Sequence, residues 1–305
     1  MAVLLLWLLA GLVTPSFLTL GQVRNVVQVA AFLGVVSLGQ TVALLVGGID
    51  LSVGGVVTLT NILATSLMVG QDSRIAVAVG VSLLAAVAVG SINGLVVALL
   101  RVTPLIATLG MNAILFGAAL FYTGGAPNGG ASPGFAVLGQ GHLLGVPAST
   151  LCWLATAFVL AVALRRSLFG RWLYATGANP VAAHLMGVPV RAVLVTSYVL
   201  SSLLAALGGL LLTSYIGNPS LGIGEEFLLT SIAAAVVGGT ALSGGVGGVL
   251  GTVGGALFIT EANSFTTIAH LATGAQYIAQ GAIIAASVLI YSWLSPGGAS
   301  SSLQP

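Results

Sequence analysis

Charge is what this sequence lacks, and that lack limits what it can fold into. Only 4% of the residues are charged and 58% are hydrophobic, where a soluble domain carries about 25% charged residues. A surface in water needs far more ions, so the chain reads as an integral membrane protein. A spanning helix needs about 20 apolar residues. Apolar runs at 2–20, 26–46, 52–70, 75–99, 104–122, 149–165, 192–214, 227–243, 249–265 and 276–294 supply ten candidates. The expected fold is therefore an all-α membrane protein, a polytopic helical bundle of about ten transmembrane helices. The eighth run leads into TALSGGVGGVLG, which suits a re-entrant segment as well as a turn. No long linker divides the runs, so residues 1–294 read as one domain, with the Ser/Gly/Pro-rich 295–305 as a disordered tail. The start, MAVLLLWLLAGLV, lacks the basic region of a secretory signal and reads as a first membrane helix.

Several functional classes fall away at once. A net charge of +2 is too small to argue for nucleic acid. The one cysteine, Cys152, excludes an intrachain disulfide and a multi-cysteine metal site. His142, His184 and His270 are far apart and show no metal-binding spacing, so no metal is assigned. Residues 130–134 match G-x-S-x-G, but a nucleophile elbow needs a strand, a tight turn and a helix. This match sits in a Gly/Pro-rich loop and is read as chance. The chain contains no Lys, so it cannot hold the P-loop G-x-x-x-x-G-K-[ST]. Any ATPase acting with it is a separate polypeptide.

Orientation follows from the arginines, because basic residues concentrate on the cytoplasmic side. Ten spans put both termini on one face. With N-in and C-in, Arg101, Arg165, Arg166, Arg171 and Arg191 are cytoplasmic, leaving only Arg24 and Arg74 outside. Asp72, Glu225, Glu226 and the Gly/Pro-rich loop 124–148 then fall outside as well.

Four of the seven cations lie in one window, 165–191, RRSLFGRWLYATGANPVAAHLMGVPVR. Inside it, VAAHLM reads as a short helix. Asn179 is placed to cap it, Pro180 fills the first helical position where a missing N–H costs nothing, and Gly187 stops it. A short capped helix between arginine clusters suits docking onto a cytoplasmic partner. It also suits a plain topology anchor, and the residues alone leave both open.

The stretch GRWLYATGANPVAAHLMGV resembles the cytoplasmic coupling segment of permeases in bacterial ABC importers of the ribose/galactose/xylose type. GGIDLSVGGVVTLT at 47–60, TPLIATLGMNAILFG at 103–117 and SIAAAVVGGTALSGGVGGVLGTVGGAL at 231–257 match the same family in order, so the resemblance covers nearly the whole chain. His184 stands where the family often has Arg, and GEEFLLTSI where it often has an acidic-Leu-Asp pattern. The resemblance implies a transport subunit in the bacterial cytoplasmic membrane, not an enzyme, importing a monosaccharide such as a ribose-like pentose. It implies a second permease subunit, a cytoplasmic ATPase that carries the ATP and Mg, and an external sugar-binding protein. No cofactor is then bound by this chain. The coupling residues it implies are Arg165, Arg171, Gly177, Asn179, Pro180, Ala183, His184 and Gly187.

The remaining polar groups are few. Asp50 lies between apolar runs in GGIDLSVGG, flanked by glycines that indicate a helix break toward the cytoplasmic side. A charged carboxylate at such depth costs at least about 2.5 kcal/mol on a helix. Asp50 and Ser52 read either as caps of two helix ends or as a proton or cation site. Asn61, Asn93, Asn112 and Gln276 are candidates for a polar path, or are interhelical glue. Gly247, Gly251 and Gly255 recur at four-residue spacing, which brings helices close within one subunit or between two. Glu225 and Glu226 begin a helix at the external end, where the macrodipole favours acids, and are candidates for meeting the docked binding protein. The alternative function is an ion-coupled secondary transporter of a small polar solute, for which only Asp50 and Glu261 offer membrane carboxylates.

Overall fold

The computed structural model describes residues 2–13, 15–269 and positions 274, 275, 278, 281 and 282. Gln276, His270, the run 276–294 and the tail 295–305 lie wholly or mostly outside these residues. The described chain is helical apart from one two-stranded antiparallel hairpin, β1 (His142–Leu143) with β2 (Val146–Pro147).

The first apolar run forms two pieces rather than one span. Helix α1 (Ala2–Val13) gives way to a 3-10 turn at Pro15–Leu18, and α2 (Leu20–Leu45) follows. Pro15 has no N–H to continue a helix, and Thr19 restarts it by accepting a hydrogen bond from the Gln22 N–H at 3.3 Å. Next come α3 (Val53–Met68), α4 (Ile75–Leu100) and α5 (Pro104–Thr123). The loop 124–148 is not plain coil: it holds α6 (Pro133–Gln140) and the hairpin. Then follow α7 (Ala148–Arg166), α8 (Leu168–Ala178), α9 (Pro180–Leu185), α10 (Val190–Ile216), α11 (Glu225–Val237) and α12 (Val249–Ile268). Among the described residues, α2, α4 with the turn before it, α5, α7 and α10 are long and apolar enough to cross a membrane.

Two interior helices organise the bundle. Helix α2 is buried on nearly every face from Ala30 to Leu45, as expected of a helix surrounded by others. Helix α3, also largely buried, packs against α10, α4 and α5. Helix α10 crosses α4 at very short range. A Cβ added at Gly90 would lie 2.6 Å from the Tyr198 carbonyl oxygen, and one at Gly94 would lie 2.6 Å from Val195 Cα. This four-residue glycine spacing lets two backbones touch. One hydrophobic cluster draws residues from α2 to α5 and from α7 to α12. The outward faces of α4, α5 and α7 carry Leu84, Ile92, Ile106, Ile114 and Phe158, a surface suited to lipid.

The eighth apolar run is interrupted. Helix α11 ends at Val237, irregular backbone occupies 238–248, and α12 resumes at Val249. Gly239, Gly244 and Gly245 in this stretch have φ near +80° (+87°, +87° and +73°), a region open to glycine without steric cost. Within this segment Thr240, Ala241 and Gly244 are buried, while Gly239, Leu242, Ser243 and Val246 are exposed.

Candidate functional site

The features of interest lie at the two ends of α10. Its residues 190–194 border one groove and residues 212–216 another cavity. Residues 194 and 212 are 18 positions apart on the helix, about 27 Å at 1.5 Å per residue, close to the roughly 30 Å of a hydrocarbon core.

At the first end, Ser167 caps α8 by accepting from the Gly170 N–H at 3.0 Å. Asn179 Oδ1 accepts from both Val181 and Ala182 N–H at 3.0 Å, so one side chain satisfies two free donors of α9. Pro180 holds the first helical position, and Gly187, at φ +83°, turns the chain away. Ala183 faces inward and is buried. Val181, Leu185 and Met186 project outward at 69%, 80% and 86% exposure, beside the exposed His184. Arg165 and Arg171 are exposed on the flanking helices. Next to α9, a groove lined by Arg101, Pro180, His184 and Arg191 opens between α4 and α10.

This end is joined to the bundle by backbone. A Cβ on Gly177 would overlap the Leu45 carbonyl at the end of α2. The Gly245 N–H donates to that same carbonyl at 3.0 Å. The Tyr174 hydroxyl donates to the Gly247 carbonyl at 3.0 Å. Burial pushes the Tyr174 hydroxyl above its usual pKa, with Arg165 acting in the opposite direction. The end of α8, the end of α2 and the irregular segment 238–248 therefore meet in one junction.

Close to that junction lies the break between α2 and α3. Asp50 is fully buried, and its Oδ1 accepts from the Ser52 N–H at 3.0 Å and from the Ser52 hydroxyl at 2.6 Å. Asn93 Nδ2 donates to Ser52 Oγ at 2.8 Å, so Asp50, Ser52 and Asn93 form one chain of bonds from α4 to the start of α3. Asn112 Oδ1 accepts from the Gly55 N–H at 2.7 Å, filling another free donor at that helix start.

At the second end, Asn61 ties α3 to the loop after α10. It donates to Thr213 Oγ1 at 3.0 Å and to the Asn218 carbonyl at 3.2 Å, and accepts from the Ser220 N–H at 2.8 Å. Asp72 accepts from the Gly134 N–H at 2.8 Å and holds the start of α6. Ser132, the hydroxyl of the G-x-S-x-G match, is buried and caps α6 by accepting from the Phe135 N–H at 3.4 Å.

Between α2, α10, α11 and α12 a cavity of about 400 Å³ opens. Its polar wall includes Gln22, Asn25, Glu226, Thr230, Asn263 and Ser264, and its apolar floor includes Phe32, Leu33 and Phe227. Gln22 Nε2 donates to Ser264 Oγ at 2.7 Å across the rim. A second cavity on the far side of Glu226 is lined by Glu225, Thr58, Asn112 and Phe116. Below the first cavity α11 and α12 close up: a Cβ on Gly251 would overlap the Gly238 carbonyl, and one on Gly255 the Ala234 carbonyl. The glycine spacing read from the sequence thus serves, at Gly251 and Gly255, a seam within this subunit. Gly247 lies outside the helix at φ +141°.

Of the path candidates, Asn112 borders a cavity; Asn61 and Asn93 are buried in bonds between segments, and Gln276 is outside the described residues. The cavity residues carry one sequence signal: Thr260, Asn263, Ser264 and Thr267 fall at i, i+3, i+4 and i+7, a polar stripe on α12.

Residues 22–288 match the family described as branched-chain amino acid transport system / permease component. The ribose import permease protein RbsC of Bacillus subtilis is 36% identical over 251 residues, covering 81% of this chain and 77% of the relative. RbsC of Escherichia coli K12 is 36% identical over 257 residues, 82% of this chain and 79% of the relative. The galactose/methyl galactoside import permease protein MglC of the same strain is 34% identical over 270 residues, 82% and 80% of the two chains. No solved structure matches the chain.

Proposed function

The chain belongs to the branched-chain amino acid transport system / permease component family, and from that premise we propose that it is the membrane subunit of an ABC importer for a monosaccharide. The relatives named for ribose and galactose import support the sugar class. The chain sits in a bacterial cytoplasmic membrane with N-in and C-in orientation, in about ten spans. It pairs with a second permease subunit. A separate ATPase, carrying ATP and Mg, docks on α9, and an external sugar-binding protein docks at the opposite end near Glu225 and Glu226.

The observation that carries this reading is α9 itself. It is a short helix capped at both ends, anchored inward by Ala183, with Val181, Leu185 and Met186 turned outward between arginines. Exposed apolar groups gathered on a rigid element mark a protein contact. Gly177, Asn179, Pro180 and Gly187 set its position, His184 and the flanking Arg165 and Arg171 surround it, and the junction at Leu45 and Gly245 passes its displacement to α2 and the irregular segment. Asp50 and Ser52, bonded on to Asn93, brace the neighbouring break.

Purification of the permease from cells expressing its operon neighbours tests this. An ABC ATPase should copurify, and a ribose- or galactose-loaded binding protein should stimulate its ATP hydrolysis in liposomes. Uptake that persists without the ATPase and collapses with an ion gradient would replace the reading with a secondary transporter.

A further inference from the structure

We propose that the groove between α4, α9 and α10 holds the headgroup of an anionic phospholipid, with its phosphate between Arg101 and Arg191 and its acyl chains along Val97 and Leu194. The proposal needs the membrane setting of the chain and nothing of its solute or its ATPase.

Register puts the two arginines at one rim. Helices α4 and α10 run antiparallel in tight contact: a Cβ on Gly90 would lie 2.6 Å from Val199 Cα, and one on Gly94 would lie 2.6 Å from Val195 Cα. Carrying that register one turn on brings Ala98 opposite Arg191. Arg101 follows Ala98 by three residues, about 4.5 Å further along the axis at 1.5 Å per residue. Both arginines are exposed and both line the groove, with His184 of α9 beside them.

The rim lies where the apolar surface ends. Leu99 and Leu100 at the close of α4, and Leu105 and Ile106 at the start of α5, are exposed. Only residues 101–103 separate the two helices. Arg101 therefore emerges at the boundary between hydrocarbon and water, the level of lipid phosphates.

Charge gives the sign of the occupant. No Asp or Glu lines the groove, and the exposed acids Asp72, Glu225 and Glu226 sit at the opposite end of the bundle. Arg101 caps the end of α4, where the macrodipole favours a cation. Arg191 has no such reason for its place. It is the second residue of α10, at the positive end of that helix, and Pro189 before it offers no side-chain cap. The dipole opposes a cation there unless an anion neutralises both.

The walls select a phospholipid among anions. Val97 lies one turn deeper than Arg101, and Leu194 one turn deeper than Arg191, so each cation stands above an apolar wall. That order matches a phosphate above acyl chains, whereas a free phosphate needs only the cations. The groove volume of about 1190 Å³ exceeds the roughly 300–1,000 Å³ of small-molecule sites and suits an extended ligand. Guanidinium forks pair their N–H groups with phosphate oxygens, and basic pockets between membrane helices bind acidic headgroups in this way. Leu185 and Met186, which project outward from the α9 end, do not line the groove. A bound lipid leaves them open to a protein partner.

The test uses the full chain purified in neutral detergent, with native mass spectrometry reading bound lipid as phosphatidylglycerol or phosphatidylcholine is titrated. Wild type should saturate with phosphatidylglycerol and hold it about tenfold tighter, or more, than phosphatidylcholine. Arg101→Gln and Arg191→Gln, singly and together, should weaken that binding by about tenfold or more. Both side chains are exposed, so melting in phosphatidylcholine should not change. Val97→Trp fills the apolar wall while keeping both cations, and should weaken binding as well. Changing Arg165 and Arg166 together to Gln removes two cations from the same end but outside the groove, and should leave binding intact. Equal loss in that control would reduce the effect to diffuse charge and overturn the proposal. Displacement of the lipid by inorganic phosphate at constant ionic strength would assign the site to a free anion, which also overturns it. Loss of ATPase copurification in the Arg101→Gln, Arg191→Gln double variant, with lipid binding unchanged, would make the groove a protein contact instead.

Discussion

Both ends of α10 are joined backbone to backbone, and the cavity end adds a larger set of side-chain ties. At the α9 end, segments meet backbone to backbone: Gly177 on the Leu45 carbonyl, Gly245 bonded to the same oxygen, and Gly244 against Gly47. At the cavity end, the Ala131 N–H donates to the Gly217 carbonyl at 2.8 Å and the Gly130 N–H to the Thr65 carbonyl at 3.1 Å, and side chains also reach across to backbone: Asn61 to the 217–220 loop, Asp72 to Gly134, Gln28 to the Gly139 carbonyl at 2.7 Å and Gln140 to the Tyr215 carbonyl at 2.8 Å. Backbone contacts leave no slack, so a displacement at one member is passed on to the others. Side-chain ties can re-form when a helix shifts, so the end that carries more of them has more freedom. The difference is one of degree, and it suits a lever at the α9 end.

Substitutions that attack each kind of joint sharpen this contrast, in order of expected cost to stability. Gly177→Val is the most severe. Its new side chain overlaps the Leu45 carbonyl, and overpacking of this kind costs about 1–3 kcal/mol or more. Thermal unfolding of the purified permease should drop by several degrees and uptake should be lost. A wild-type melting curve would show that the junction yields, and the lever idea would fail with it.

Asn61→Ala comes next. It removes two donated bonds and one accepted bond at the cavity end, and leaving buried partners unsatisfied costs about 1–3 kcal/mol. The loop 217–224 should become sensitive to added protease from that side while ATPase docking stays intact. Loss of docking with the loop still protected would break the separation between the two ends.

Changing Glu225 and Glu226 together to Gln is milder, since an acid in a first helical turn contributes about 0.3–1 kcal/mol. Both are exposed at the start of α11. Binding-protein association should slow most at low salt, because rim charges act mainly on association rate. Equal rates at low and high salt, with a lowered melting temperature, would leave them as helix caps only.

Leu185→Asp should be almost neutral for folding, within about 0.5 kcal/mol, because the side chain is 80% exposed. Yet it places a carboxylate in the proposed ATPase contact, so sugar-stimulated ATP hydrolysis should fall by tenfold or more. Normal coupling would move the contact off α9. Ala183, by contrast, is buried, so a bulky charged residue there tests the fold rather than the contact.

Much of the α9 end was legible in the one-dimensional chain. Asn179, Pro180 and Gly187 act on groups two to four residues away, and such local geometry is written in adjacent letters. The breaks around Asp50 and after Val237 were legible too, through glycines in otherwise apolar runs. The amides were misleading for a physical reason. Asn61, Asn93 and Asn112 look alike in sequence whether they face water or a neighbouring segment, and all three turn out to be bonded to a neighbouring segment, Asn112 while also bordering a cavity. The four-residue pair Gly90 and Gly94 carried the same signal as Gly251 and Gly255, but which partner each would touch was not written beside it.

By itself the sequence determined the membrane class, the helical architecture and the capped helix α9, because scarcity of charge, length of apolar run and capping are properties of composition and near neighbours. It also carried the motifs that belong to the permease family. Only the tertiary structure decided that α1 stops short at a 3-10 turn, that Ala183 turns inward while Leu185 turns outward, and that Gln22, Thr230 and Asn263 share one cavity. Those three residues come from helices separated by as many as 241 positions (263 − 22) in the chain. No local rule relates them, and they meet only because close-packed glycines set where the helices touch and where they part.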